Sequence, residues 1–211
     1  MGSLFISVLV SIFSVVNPIG AIPVFLSMTP HYTKEEREQT ALRTSIYFVL
    51  ILMAFFWLGA HILGFFGISI HAMRMAGGLV ILSSGYSLLN GTFAESRAID
   101  DKVEIEALEK EDISFSPMAM PMLSGPGSIS LLISLFSEHQ EWTERGTISL
   151  VILATGGLVY WILRVSPYLF RLLGEAGLRA VSRIMGFIVM AIAVQYIITG
   201  GVELVRMLWM K

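Results

Sequence analysis

Cysteine is absent from all 211 residues, which excludes disulfides and thiolate chemistry. Charge is nearly as scarce. Only 14% of positions are Asp, Glu, Lys or Arg, against 55% hydrophobic, a balance too apolar for an ordinary soluble domain. The few charges are also badly spread for such a domain. None precedes Lys34, and none falls between Arg43 and Arg74, Arg74 and Glu95, Asp112 and Glu138, Arg145 and Arg164, or Arg183 and Glu203. The first apolar run lacks a basic n-region and a small-residue cleavage site and continues past residue 25, which predicts a retained span and not a signal peptide. A net charge of -2, with no basic stripe among aromatics, points away from nucleic acid. His31, His61, His71 and His139 form no H-E-x-x-H pair and no nucleophile motif appears, so neither an enzyme nor a cofactor is expected.

What remains is six charge-free stretches, each close to the ~20 residues that cross a ~30 Å hydrocarbon core. They predict spans at about 4–28, 44–66, 73–92, 116–136, 147–166 and 182–203. Lys34, Arg37 and Arg43 follow the first span. Arg97, Lys102 and Lys110 follow the third, and Arg164, Arg171, Arg179 and Arg183 flank the connection after the fifth. Only Arg74, Arg145, Arg206 and Lys211 lie on the other side. That bias places these basic loops in the cytoplasm and both termini outside.

The halves echo each other. Pro18 and Pro126 stand 108 residues apart. Arg74-Met75-Ala76-Gly77 matches Arg183-Ile184-Met185-Gly186 at 109, as does Gly91 with Gly200. Arg43-Thr44-Ser45-Ile46 echoes Arg145-Gly146-Thr147-Ile148 at 102. Three spans per half force the second copy upside down. The expected fold is therefore all-α and polytopic, with six transmembrane spans in an inverted 3+3 repeat whose first helices are broken. Residues 1–92 form one repeat, 93–115 a cytoplasmic linker and 116–211 the inverted second repeat. The linker reads either as a surface amphipathic helix or as a solvated connection.

The breaks are the most informative feature. Asn17-Pro18-Ile19-Gly20-Ala21-Ile22-Pro23 interrupts the first span, and Ser124-Gly125-Pro126-Gly127-Ser128-Ile129-Ser130 interrupts the fourth. Helix breakers at matching depth in two halves point to a transport site. Asn17 reads as an N-cap with Pro18 opening a second half-helix, and Gly125-Pro126 repeats the design. Two half-helix N-termini, each carrying about +0.5 of a charge, would meet near the midplane and suit a carboxylate. Carbonyls freed at the preceding helix ends would suit an ammonium group or a cation. The ligand implied is a small zwitterion, held by Asn17, Pro18, Ile19, Gly20, Ala21, Gly125, Pro126, Gly127 and Ser128.

Secondary candidates carry plainer alternatives. Gly77 and Gly78 serve the site or simply let helices approach. Gln195 is a site contact or a cross-helix hydrogen bond. His61 is a proton carrier or an interfacial residue. Arg74 and Arg183 read as snorkelling anchors or as gates closed by a loop carboxylate. No carboxylate lies deep in a span, so the coupling ion is open between H⁺ and Na⁺.

These residues resemble the MarC family of bacterial and archaeal inner-membrane proteins. The likeness rests on Asn17-Pro18-Ile19-Gly20 with Pro23-Val24-Phe25, on Phe66-Gly67-Ile68-Ser69 and Arg74-Met75-Ala76-Gly77-Gly78, on Pro121 with Gly125 through Ser130, and on Arg183-Ile184-Met185-Gly186. The resemblance implies an inner-membrane location and uptake of small neutral amino acids such as glycine and alanine, coupled to an ion gradient. It also carries an association with multiple antibiotic resistance. The alternatives are efflux of drugs or other metabolites, and a channel or non-transport membrane protein. Bulky drugs need a wide aromatic cavity, which the Gly- and Ser-rich breaks do not favour.

Overall fold

A computed structural model describes residues 1–91 and 112–209. The described residues form eight helical elements: α1 Gly2–Val16, α2 Ile22–Met28, α3 Lys34–Phe65, α4 Ile70–Asn90, α5 Ser114–Leu123, α6 Pro126–Glu138, α7 Trp142–Arg164 and α8 Ser166–Trp209. Most of the 93–115 linker lies outside the described residues, and with it the question of an amphipathic helix there.

Local chemistry sets the ends of these elements. The 32 residues of α3 begin ten positions before the expected span, because Thr33 and Glu36 close a capping box. Glu36 N–H donates to Thr33 Oγ1 at 3.2 Å, and Thr33 N–H donates to Glu36 Oε2 at 2.7 Å. At 1.5 Å per residue α3 is about 48 Å long, so its charged first turns project beyond a ~30 Å core. Ser69 Oγ accepts from Ala72 N–H to start α4, and Gly91 in the left-handed region ends it. α5 is irregular, with Pro117 and Pro121 inside it and extended backbone at Ser116 and Met120. Gly174, at φ 64°, breaks α8 into an eight-residue lead and a long apolar helix.

Four helices, α3, α4, α7 and α8, are each long and apolar enough to cross a membrane, and the bent α5–α6 pair makes a fifth candidate. The first expected span behaves differently. α1 has only 15 residues, about 22 Å, and becomes long enough only with α2 added. The described residues are thus all-helical with four to five candidate spans, fewer than the six expected.

The packing is that of a membrane bundle. α4 packs along the later part of α8, and α3 packs on α7. Small residues bring the α4 and α8 backbones close. A Cβ at Gly78 would lie 3.1 Å from Ala193 O, one at Gly85 3.0 Å from Gly186 O, and one at Gly200 3.0 Å from His71 O. Pairings of 71 with 200, 78 with 193 and 85 with 186 make the two helices antiparallel. α6 runs through the middle, against α3, α4 and α1, and Gly127 to Phe136 are all buried. Phe48, Leu52 and Phe56 of α3, with Ile12, Val15, Ile81, Met122 and Leu132, form the core around it. The outer surface is apolar instead of charged: Leu50, Leu79, Leu150, Trp161, Phe187 and Val202 are exposed. Such a surface suits hydrocarbon and not water.

Candidate functional site

Both interruptions exist, but they are built differently. α1 stops at Val16 because Asn17 adopts the left-handed conformation at φ 47° and sends its N–H to Phe13 O at 2.9 Å. Asn tolerates that region better than most residues. Asn17 therefore ends the first half-helix instead of starting the second, a correction to its expected N-cap role. Pro18 through Ala21 form turns, held by Gly20 N–H to Asn17 O at 3.1 Å and Ile22 N–H to Ile19 O at 3.2 Å. α2 then starts at Ile22, four residues later than expected, with Pro23 in its first turn. One part of the capping chemistry survives: Gly20 N–H also reaches Asn17 Oδ1 at 3.4 Å.

The second break follows expectation more closely. Gly125 is extended (φ -78°, ψ 171°), Pro126 opens α6, and no side chain caps its first turn. The Ser128 hydroxyl donates to Gly125 O at 2.9 Å and so leaves the first-turn amides uncovered by a side chain. α5 and α6 meet at 65°.

The two breaks lie beside each other. A Cβ on Gly127 would sit 3.7 Å from Val15 Cγ1 and 2.9 Å from Ile81 Cγ1. So the end of α1 and the start of α6 share one buried region under α4. Asn17, Ser124 and Ser128 are 1%, 0% and 3% exposed, so the region is shut off from solvent. Pro18 and Ala21 are buried as well, Ile19 and Gly20 are half-buried, and Pro126 is exposed. Among the described residues, two buried polar atoms here have no partner, Asn17 Nδ2 and Ser124 Oγ. A buried, unpaired polar group costs about 1–3 kcal/mol, so each is poised to accept a partner. Ser124 is not among the residues to which the sequence points; it stands two positions before Pro126, whereas Asn17 directly precedes Pro18.

The secondary candidates lie elsewhere. Gly77 is pressed against Ser130 of α6, whose hydroxyl donates to Met73 O at 3.2 Å. Gly78 faces Ala193 and Ile197 of α8. His61 and Gln195 are both exposed on the outer surface, away from the breaks. Arg74 is buried and ion-pairs with Glu138 at the end of α6, while Arg183 is exposed.

The structure also brings out a matched pair that composition did not reveal. Arg37 donates to Thr29 O at 2.7 Å and Tyr32 O at 3.4 Å, closing the end of α2. Arg145 donates to His139 O at 2.9 Å and Phe136 O at 3.4 Å, closing the end of α6. Both follow a glutamate, and they are 108 residues apart, the spacing of Pro18 and Pro126. Arg43, the partner of Arg145 in the 102-residue echo, pairs with Asp112 at 3.0 Å.

A family model described as MarC family integral membrane protein matches residues 2–205. A membrane protein of Methanocaldococcus jannaschii is 39% identical over 197 residues, covering 93% of this chain and 95% of its own. The membrane protein YvbG of Bacillus subtilis is 34% identical over 200 residues, 95% of each chain. The inner membrane protein MarC of Escherichia coli is 33% identical over 210 residues, 94% of each. No solved structure matches this one.

Proposed function

The chain belongs to the MarC family of integral membrane proteins, and from that footing we propose that it is a secondary transporter of small neutral amino acids, of the size of glycine or alanine, working by alternating access in an inner membrane. The reading treats α1 with α2 as the first span and α5 with α6 as the fourth. α3, α4, α7 and the part of α8 after Gly174 are then the second, third, fifth and sixth, in an inverted 3+3 repeat.

Three features support the repeat. Exchanging the halves preserves the pairing, since α4 packs on α8 and α3 on α7. α6 lies against α3 and α4, while α1 and α2 lie against α7 and α8. Arg37 and Arg145 close equivalent half-helices at one spacing. A substrate site between such halves, at broken helices near the midplane, is the recurring transporter arrangement.

The observation that carries the function is the pair of orphan polar atoms, Asn17 Nδ2 and Ser124 Oγ, buried at neighbouring breaks. A small zwitterion supplies what they lack. Its carboxylate would accept from Asn17 Nδ2 and from the uncapped first-turn amides of α6, which present the positive end of a helix. Its ammonium would donate to Ser124 Oγ and to carbonyls where α1 and α5 end. Little room exists for a side chain between Val15, Ile81 and Gly127, which limits the substrate to small residues.

Counterflow of labelled glycine or alanine in proteoliposomes is the test. Exchange that saturates, and that Pro18→Ala or Pro126→Ala reduces, is expected. Absence of exchange for every small amino acid would overturn the reading, and uptake without saturation or counterflow would favour a channel. Imposing Na⁺ and pH gradients separately identifies the coupling ion.

A further inference from the structure

The seam between α3 and α7 carries a cation-lined cavity at one end and an apolar groove beyond it. At one end a cavity of about 450 Å³ opens between Lys34, Arg37 and Glu38 of α3 and Arg164, Pro167 and Tyr168 at the α7–α8 corner. Further down the same seam an apolar groove of about 300 Å³ runs between Leu42, Ile46 and Leu50 of α3 and Leu153, Gly157 and Tyr160 of α7. The α3 residues follow one another at four-residue spacing from Lys34 to Leu50, and Gly157, Tyr160 and Arg164 lie on one stripe of α7. Cavity and groove therefore succeed one another along the same two helices, a track with a cationic head and a hydrocarbon tail.

The charge of the head selects its occupant. Three cations face one carboxylate there. Arg164 pairs with Glu38 at 3.1 Å, and Arg37 is engaged with Thr29 and Tyr32. Among the described residues, Lys34 has no carboxylate partner, so the cavity keeps a net positive charge. Arg164 also lies 5.9 Å from the Tyr160 ring, which joins the head to the groove. Tyr168 at the rim is exposed, as are Leu172 and Leu173 beyond it, the kind of side chains that sit at a membrane interface. Below, Gly157 leaves space: a Cβ there would meet nothing within 4 Å.

We propose that this track binds one anionic phospholipid, its phosphate between Lys34 and Arg164 and one acyl chain along the groove past Gly157. Basic pockets between membrane helices at the headgroup level are suited to anionic lipids, each cation strengthening the attraction. The proposal rests on residence in the bilayer and is independent of which solute the protein carries.

Native mass spectrometry of the full chain, released from detergent with phosphatidylglycerol or phosphatidylcholine of matched acyl chains, tests it. Wild type should retain phosphatidylglycerol several-fold better. Lys34→Ala, which breaks no ion pair among the described residues, should cut that preference about fivefold. Gly157→Phe should fill the groove and weaken retention of both lipids, while thermal unfolding shows the fold intact. Equal retention of the two lipids by wild type, or phosphatidylglycerol retention unchanged in both variants, would overturn the proposal. Competition by soluble glycerol phosphate as effective as that of the lipid would also overturn it, marking a free-anion pocket.

Discussion

Replacing Gly77 by alanine drives a methyl group into α6. The new Cβ would overlap both Oγ and Cβ of Ser130, whereas the Ser130 Cα lies at 3.7 Å, an ordinary contact. Rotating the Ser130 hydroxyl removes only one overlap. The Cβ cannot rotate away, so α4 and α6 must part by about 1 Å or more to restore contact distance. α6 is buried from Gly127 to Phe136 and has nowhere to yield. Overpacking of this depth belongs near the upper end of ~1–3 kcal/mol. Alanine recovers ~1 kcal/mol over glycine in a helix, leaving a net loss of about 2 kcal/mol. For a chain of this size that lowers the unfolding midpoint in detergent by roughly 4–8 °C. Ser130→Gly should rescue most of the loss and Ser130→Ala should not, because the alanine keeps the offending Cβ. Gly157→Ala is the control, neutral to stabilising. A Gly77→Ala protein as stable as wild type, or equal rescue by Ser130→Ala and Ser130→Gly, would refute the reasoning.

Arg37→Gln and Arg145→Gln should each cost about 1–2 kcal/mol in thermal unfolding, since a charged donor to last-turn carbonyls is lost, with lysine restoring only part. Glu138→Gln leaves the buried Arg74 guanidinium unpaired and should destabilise. Adding Arg74→Met should relieve much of that loss, which a double-mutant cycle measures. At Asp112, burial raises the carboxyl, but hydrogen bonds from Ser114 and the Arg43 partnership outweigh it and hold it below its ordinary value. A lowered folded-state value adds stability above the usual carboxylate range, and that stability disappears as pH falls through the folded value. Thermal stability should therefore drop on acidification below about pH 4, and drop less in Asp112→Asn.

The membrane class was legible because hydrocarbon excludes charge, and the gaps from Arg43 to Arg74 and from Arg145 to Arg164 could mean little else. Helix ends were less legible. Thr33-Lys34-Glu35-Glu36 is a capping signature in the sequence itself, but hydropathy alone placed the start of that helix at the bilayer edge. Asn17 was ambiguous for a physical reason: the same short amide suits a helix start and a left-handed helix end, and only packing decides. Pro126 had no such freedom, and its helix begins where expected. Arg145 echoes Arg43 in sequence, but the likeness to Arg37 emerges only from the carbonyls that both cap. Gly77 and Gly78 showed that helices come close without showing which. Ser124 becomes a candidate only through its burial and its hydroxyl, unpaired among the described residues.

The central claim is that the polar atoms orphaned at the breaks are held for a substrate, and Ser124→Ala tests it most directly. Removing an unpaired buried hydroxyl should leave the empty protein as stable as wild type or about 1 kcal/mol more stable. The same substitution should weaken glycine or alanine binding to the purified protein by roughly tenfold, from the loss of one hydrogen bond to a charged group. Opposite signs in the two measurements, made on one sample by calorimetry and thermal unfolding, are the predicted result. A destabilised empty protein with unchanged amino-acid binding would contradict the account.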